Sequence, residues 1–68
     1  MFDIFLDRLT EESIRVQPKS VHGMLWLQTH FPDDHWDEMA MGLVAVNQPD
    51  ALHISQDAGL SGLRVLFP

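Results

Sequence analysis

The densest concentration of chemically capable side chains lies between His30 and Glu38, where Asp33, Asp34, Asp37 and Glu38 put four carboxylates within six residues, flanked by His30 and His35. Oxygen and imidazole groups can together hold a divalent ion or move protons, so a small metal-dependent or acid–base enzyme built on this cluster is one reading. The spacing argues against it. No acidic alternation surrounds a central glycine as in an EF-hand loop, and Pro32 separates His30 from His35, so the two cannot share one helical face. Helix capping and a solvated face account for the same residues.

Trp26 has His22 and His30 at i−4 and i+4, which places all three on one stripe of a helix. An outward tryptophan beside two imidazoles is a candidate binding hot spot. Rotated inward, the same residue becomes core with the histidines at its rim, and Trp36 folds back in a similar way to anchor the following segment. Ser13, Ser20, Ser55 and Ser61 are the available hydroxyl nucleophiles, yet none lies in a G-x-S-x-G elbow. Neither G-x-G-x-x-G, G-K-[ST] nor H-E-x-x-H occurs. Gly59-Leu60-Ser61-Gly62 lacks a neighbouring lysine and precedes a strand, so it reads as a helix end and not as a phosphate cradle. With no cysteine present, disulfides, thiolate metal sites and thiol catalysis are excluded, which fits a reducing cytoplasm. No catalytic, cofactor-binding or metal-binding residue is assigned.

The elements that must position these residues follow from hydrophobic period and punctuation. Residues 2–9 fit a helical face (Phe2, Phe5, Leu6, Leu9) or a strand (Phe2, Ile4, Leu6), and the strand is preferred because the polar turn Thr10–Ser13 lets it pair as a hairpin with Ile14–Gln17, which Pro18 ends. Ser20 caps a helix from Val21 to His30 whose apolar arc is Val21, Met24, Leu25, Leu27 and Phe31. Beyond Pro32, Asp33 or Asp34 caps a second helix through Ala40, and Gly42 ends it. Leu43-Val44-Ala45-Val46 is apolar throughout and predicts a strand at the centre of the sheet, covered on both faces. Gln48-Pro49-Asp50 starts a third helix with proline at its first position, Gly59 or Gly62 stops it, and Leu63–Phe67 closes the chain as a strand.

These elements make a single domain, residues 1–68, of the α+β or small α/β class: a two-layer sandwich with a three- to four-stranded mixed sheet and two or three helices. The long connections could join parallel strands in the order first, second, third; alternatively the last strand pairs antiparallel with the first. Arg15 and Arg64 alternate with apolar neighbours and should point away from the core, to pair with acids of the N-terminal segment or to line a partner surface.

Ten acids against four Lys and Arg leave a formal charge of −6, which disfavours direct contact with nucleic acid or an anionic membrane and favours a basic protein partner. The acidic start, with Asp3 and Asp7 in the apolar run, is unlike an export signal, and Met39–Gln48 is too short to span a membrane. In size and layout the chain resembles many short bacterial reading frames. The reading that results is a non-enzymatic, cytoplasmic protein-interaction or regulatory module using Trp26, His30, Asp33, Asp34, Asp37 and Glu38. An acidic inhibitor that imitates nucleic acid is a further alternative, and eight of the ten acids fall in two clusters, residues 3–12 and 33–38. A chain of this length buries only about 60% of its unfolded surface. Helices on one side of the sheet leave the other bare, so a homodimer is expected through Phe2, Phe5, Val65, Leu66 and Phe67.

Overall fold

The computed structural model describes residues 1–31 and 33–67; the interruption expected at Pro32 lies outside them. Strand β1 (Ile4–Arg8) and strand β2 (Ile14–Pro18) form an antiparallel hairpin with Ile4 opposite Pro18 and Arg8 opposite Ile14. The Thr10 hydroxyl closes the turn by accepting from the backbone N–H of Glu12 (3.2 Å) and Ser13 (3.0 Å). The strand reading of the N-terminal segment holds, because the period-two set Ile4, Leu6, Ile14 and Val16 is fully buried on one face.

Helix α1 (Val21–Gln28) begins at Ser20, whose Oγ accepts from the Gly23 N–H at 3.0 Å. Such a cap contributes about 1 kcal/mol. The helix stops short of His30, and its buried face differs from the expected arc. Leu27 is buried and Met24 and Phe31 pack on the core as expected, but Val21 and Leu25 are 74% and 54% exposed and Gly23 is buried instead. Gly23 sets this rotation. A Cβ there would collide with the carbonyl oxygen of Asp3 and stand 2.9 Å from its carbon, so only glycine lets the helix lie this close to the backbone leading into β1.

Asp3 ties that junction together. Its carboxylate accepts from the Ser20 hydroxyl (2.6 Å) and from the Arg64 N–H (3.0 Å), and its carbonyl accepts from the Lys19 N–H (2.7 Å). The Arg64 N–H first, then the Ser20 hydroxyl, hold the Asp3 carboxyl below its ordinary value. A lowered folded-state pKa gives stability that is present above the unfolded value of about 3.9 and lost as pH falls through the folded value. Asp3→Asn should therefore be less stable than wild type at neutral pH, with the gap closing on acidification. Denaturant melts across the acid range test this, and a gap that does not change with pH would refute the role.

A 3-10 turn at Asp33–His35 leads into helix α2 (Trp36–Ala40). Asp33 and Asp34 were expected to cap this helix, but they form the turn itself, and no side chain caps α2. Strand β3 (Ala45–Val46), helix α3 (Gln48–Leu60) and strand β4 (Val65–Leu66) complete the chain. Asn47 caps α3 by accepting from the Asp50 N–H at 2.9 Å, which makes Gln48 the first helical residue and Pro49 the second. Gly59 lies inside α3 and does not end it; Gly42 and Gly62, at φ +72° and +87°, take the left-handed conformation in which the chain leaves α2 and α3.

The sheet order is β3-β2-β1-β4, with β1–β2 and β2–β3 antiparallel and β1–β4 parallel. The fold is thus α+β, a four-stranded mixed sheet with three helices. Two expectations about its layout are corrected. Leu43–Val46 is not the central strand: only Ala45 and Val46 pair, at the edge beside Arg15 and Ile14, and Leu43 is 66% exposed. An apolar run reports burial pressure but not neighbours, and the hairpin, closed locally, takes the centre of the sheet. The last strand does return to the first, but parallel to it, and it is Val65–Leu66, shorter than Leu63–Phe67.

Leu27 of α1, Met39 of α2, and Ala51, Ile54 and Ala58 of α3 pack with the four buried strand residues in one core, so all three helices cover the same face. The opposite face carries Phe5, Asp7, Arg15 and Gln17, all half-buried. Arg15 points away from the core as expected, with its Nη2 2.7 Å from Asp7 Oδ2. Among the described residues no helix is long and apolar enough to cross a membrane.

Candidate functional site

Where α1 ends, its last turn is fixed by side-chain hydrogen bonds. The Thr29 hydroxyl donates to the Trp26 carbonyl (2.6 Å), and His30 Nδ1 lies 2.8 Å from that hydroxyl and 3.1 Å from the same carbonyl. This orients the imidazole so that it stacks on Trp26, with ring centroids 4.0 Å apart and planes inclined by 27°. The Trp26 indole N–H donates in turn to Ser61 Oγ at 3.1 Å, which ties α1 to the end of α3. Trp26 is half-buried against the core with His30 exposed at its rim.

The tie holds His30 and Phe31 opposite α3, and a groove opens between them. Its floor is apolar, made by half-buried Phe31 and Val46 and by buried Ile54; its rim is His30, Asp50, His53 and Asp57, all exposed. Asp50, His53 and Asp57 stand at i, i+3 and i+7 of α3, which puts them on one side of that helix. The volume, about 240 Å³, is below the roughly 300–1,000 Å³ of small-molecule pockets. It suits a protruding side chain better than a whole ligand.

Residues 6–67 match the cyanobacterial NIF11-like domain, a span running from within β1 to just past β4. The chain belongs to this family. No curated protein and no solved structure matches it significantly. In this NIF11-like domain the residues singled out from sequence separate into two places. His30 lines the groove and Trp26 stacks on His30 from outside the lining, whereas Asp33, Asp34, Asp37 and Glu38 are exposed on the 3-10 turn and α2 and do not line the groove. His35 is also exposed on that turn, and among the described residues no three His, Asp or Glu side chains are grouped to hold a metal ion. Trp36 does fold back: its indole N–H donates to the Phe31 carbonyl at 3.0 Å, and its ring packs on the core. Sequence reading missed Asp50, His53 and Asp57, although their helical spacing was there to be seen.

Charge in the NIF11-like domain divides with the layers. Arg8, Arg15, Lys19 and Arg64 all lie on or beside β1, β2 and β4, together with Asp3, Asp7, Glu11 and Glu12. Between Lys19 and Arg64 there is no lysine or arginine, while Asp33, Asp34, Asp37, Glu38, Asp50 and Asp57 lie there. The sheet layer is formally neutral, and the helical layer holds the whole net charge of −6.

Proposed function

We propose that this NIF11-like domain is a non-enzymatic interaction module, working in the cytoplasm, that receives a short basic segment of a protein partner in the groove between α1 and α3. The observation that carries the reading is the pairing of an apolar floor with an acidic rim in a layer free of lysine and arginine. A leucine- or methionine-sized side chain fits against Phe31, Val46 and Ile54, and lysine or arginine beside it reaches the Asp50 and Asp57 carboxylates. The negative layer also raises the local concentration of a cationic partner before contact. The exposed acids of the 3-10 turn and α2 contribute to this long-range attraction.

The test is a titration of isotope-labelled protein with a short peptide holding one leucine among lysines and arginines, against the same peptide with glutamates in place of the bases. Saturable amide shifts at His53, Ile54 and Asp57 are expected with the basic peptide alone. Two exposed ion pairs at about 0.5–1 kcal/mol each mean that Asp50→Asn with Asp57→Asn weakens binding about five- to thirtyfold. Equal response to both peptides, or shifts scattered away from the groove, would dismiss the reading.

A further inference from the structure

On the bare side of the sheet Phe5 is half-buried and Leu66 is 39% exposed, while Val65 and Phe67 pack against the helix-covered core and Phe2 precedes the strand. Nothing on that side, among the described residues, selects an occupant. The groove does select one, because the fold fixes polar groups on its rim. We infer that the groove prefers arginine over lysine in the basic segment it receives, with an unprotonated Nε2 on His30 setting the preference, an inference that rests on the function proposed above.

The hydrogen bonds around His30 assign its proton. Nδ1 has two oxygen neighbours, the Thr29 hydroxyl at 2.8 Å and the Trp26 carbonyl at 3.1 Å. A carbonyl oxygen cannot donate, and the Thr29 hydroxyl already directs its single proton to that same carbonyl at 2.6 Å. Both neighbours of Nδ1 are therefore acceptors, so Nδ1 carries the proton. A neutral imidazole has one donor and one acceptor nitrogen, which leaves Nε2 with a bare lone pair. Turning the ring over would put a carbon in the place of Nδ1 and lose both contacts, and Trp26, stacked at 4.0 Å, holds the plane of the ring. Trp26 covers one face without lining the groove, and the Nδ1 edge is turned to the end of α1. His30 is left to offer the groove its open face and its Nε2 edge.

The rim then has acceptors on both sides. Asp50 and Asp57, on the α3 side, stand seven residues apart, which is about 10 Å along a helix that rises 1.5 Å per residue. No lysine or arginine occurs between Lys19 and Arg64 to occupy these acceptors from within the layer. A lysine ammonium is a compact, strongly hydrated point charge and satisfies whichever carboxylate it reaches. A guanidinium is planar and more weakly hydrated, and its five donors point in different directions. One edge can pair with an aspartate while another donor reaches His30 Nε2, and its flat faces suit the floor of Phe31, Val46 and Ile54.

Two peptides test this, one with a single leucine among arginines and the other with the same leucine among lysines, each titrated into isotope-labelled protein. The arginine peptide should bind about tenfold more tightly, as one further hydrogen bond to a charged group provides. His30→Phe keeps a ring for Trp26 to stack on and removes the acceptor, so the preference should disappear while the lysine peptide binds as before. The ring nitrogens give a readout that a merely structural role for His30 would not move. At about pH 8, where imidazoles are neutral, His30 Nδ1 should resonate as a protonated nitrogen and Nε2 as a bare one, and Nε2 should shift on adding the arginine peptide. A proton found on Nε2, equal affinity for the two peptides, or a preference that survives His30→Phe overturns the inference and leaves the basic-segment reading standing. Failure of both peptides to bind defeats that reading, and the inference with it.

Discussion

Replacing Gly23 with alanine is expected to lower the melting temperature by about 8–16 °C, although alanine in place of glycine inside a helix ordinarily adds about 1 kcal/mol, which here only offsets part of the cost. The sign reverses because the new methyl would meet the carbonyl group of Asp3, which is backbone and cannot turn aside as a side chain could. That carbonyl is itself held by the Lys19 N–H at 2.7 Å. Relief requires α1 to lift from the start of β1, which pulls Leu27 from the core and strains the bonds that Asp3 makes to Ser20 and Arg64. Overpacking costs about 1–3 kcal/mol, and a backbone collision belongs at the top of that range. In a domain of this size each kcal/mol moves the midpoint by about 4–8 °C. Gly59 is the internal control, since nothing lies within 4 Å of a Cβ built there inside α3. Gly59→Ala should be neutral or stabilising in the same thermal melts. Equal behaviour of the two variants would mean that α1 does not rest on the Asp3 backbone.

Gly23 also shows where sequence reading reached its limit. The Ser20 cap, the hairpin of β1 and β2 and the start of α3 are all local, settled by side chains within a few residues of the backbone they satisfy, and each was legible. Which face of α1 turns inward depends on a glycine meeting a residue twenty positions away. An apolar count therefore chose Val21 and Leu25 over Gly23. Likewise Leu43–Val46 looks like a central strand by composition, but its neighbours are decided by the hairpin having already paired β1 with β2. The groove was half legible. Asp50, His53 and Asp57 share a helical side by spacing alone, whereas their meeting with His30 depends on the turn at Thr29 and on the bond from Trp26 to Ser61. The gap in basic residues between Lys19 and Arg64 is plain in the sequence, but it acquires meaning only once the layers are known.

Met39→Ala should be the other severe change. Met39 is the one buried residue among Asp33–Ala40, so the whole acidic segment is held to the sheet chiefly through a single side chain. Isolated helices shorter than about 12–15 residues are marginal in water, and α2, with five residues, cannot persist undocked. Removing a buried methionine side chain costs about 2–5 kcal/mol, against a total of roughly 3–10 kcal/mol for a chain of this length at about 0.05–0.15 kcal/mol per residue. Part of the molecule can let go before the rest. Trp36, through its ring on the core and its bond to the Phe31 carbonyl, is the remaining tether, and the turn after α2 is closed by the Gly42 N–H on the Met39 carbonyl and the Leu43 N–H on the Glu38 carbonyl. Hydrogen exchange should therefore quicken first at Gly42 and Leu43, while the β1 and β2 amides keep the protection set by the now reduced global stability. Met39→Leu conserves volume and should restore most of the loss. Uniform acceleration at every amide would show instead that α2 and the sheet unfold as one unit. The groove offers an independent check, because its lining comes from the turn after α1, β3 and α3 and not from α2. Where the variant stays folded, its floor should survive the release of α2, and a basic peptide should still bind there, weakened only by the displaced charges of Asp37 and Glu38.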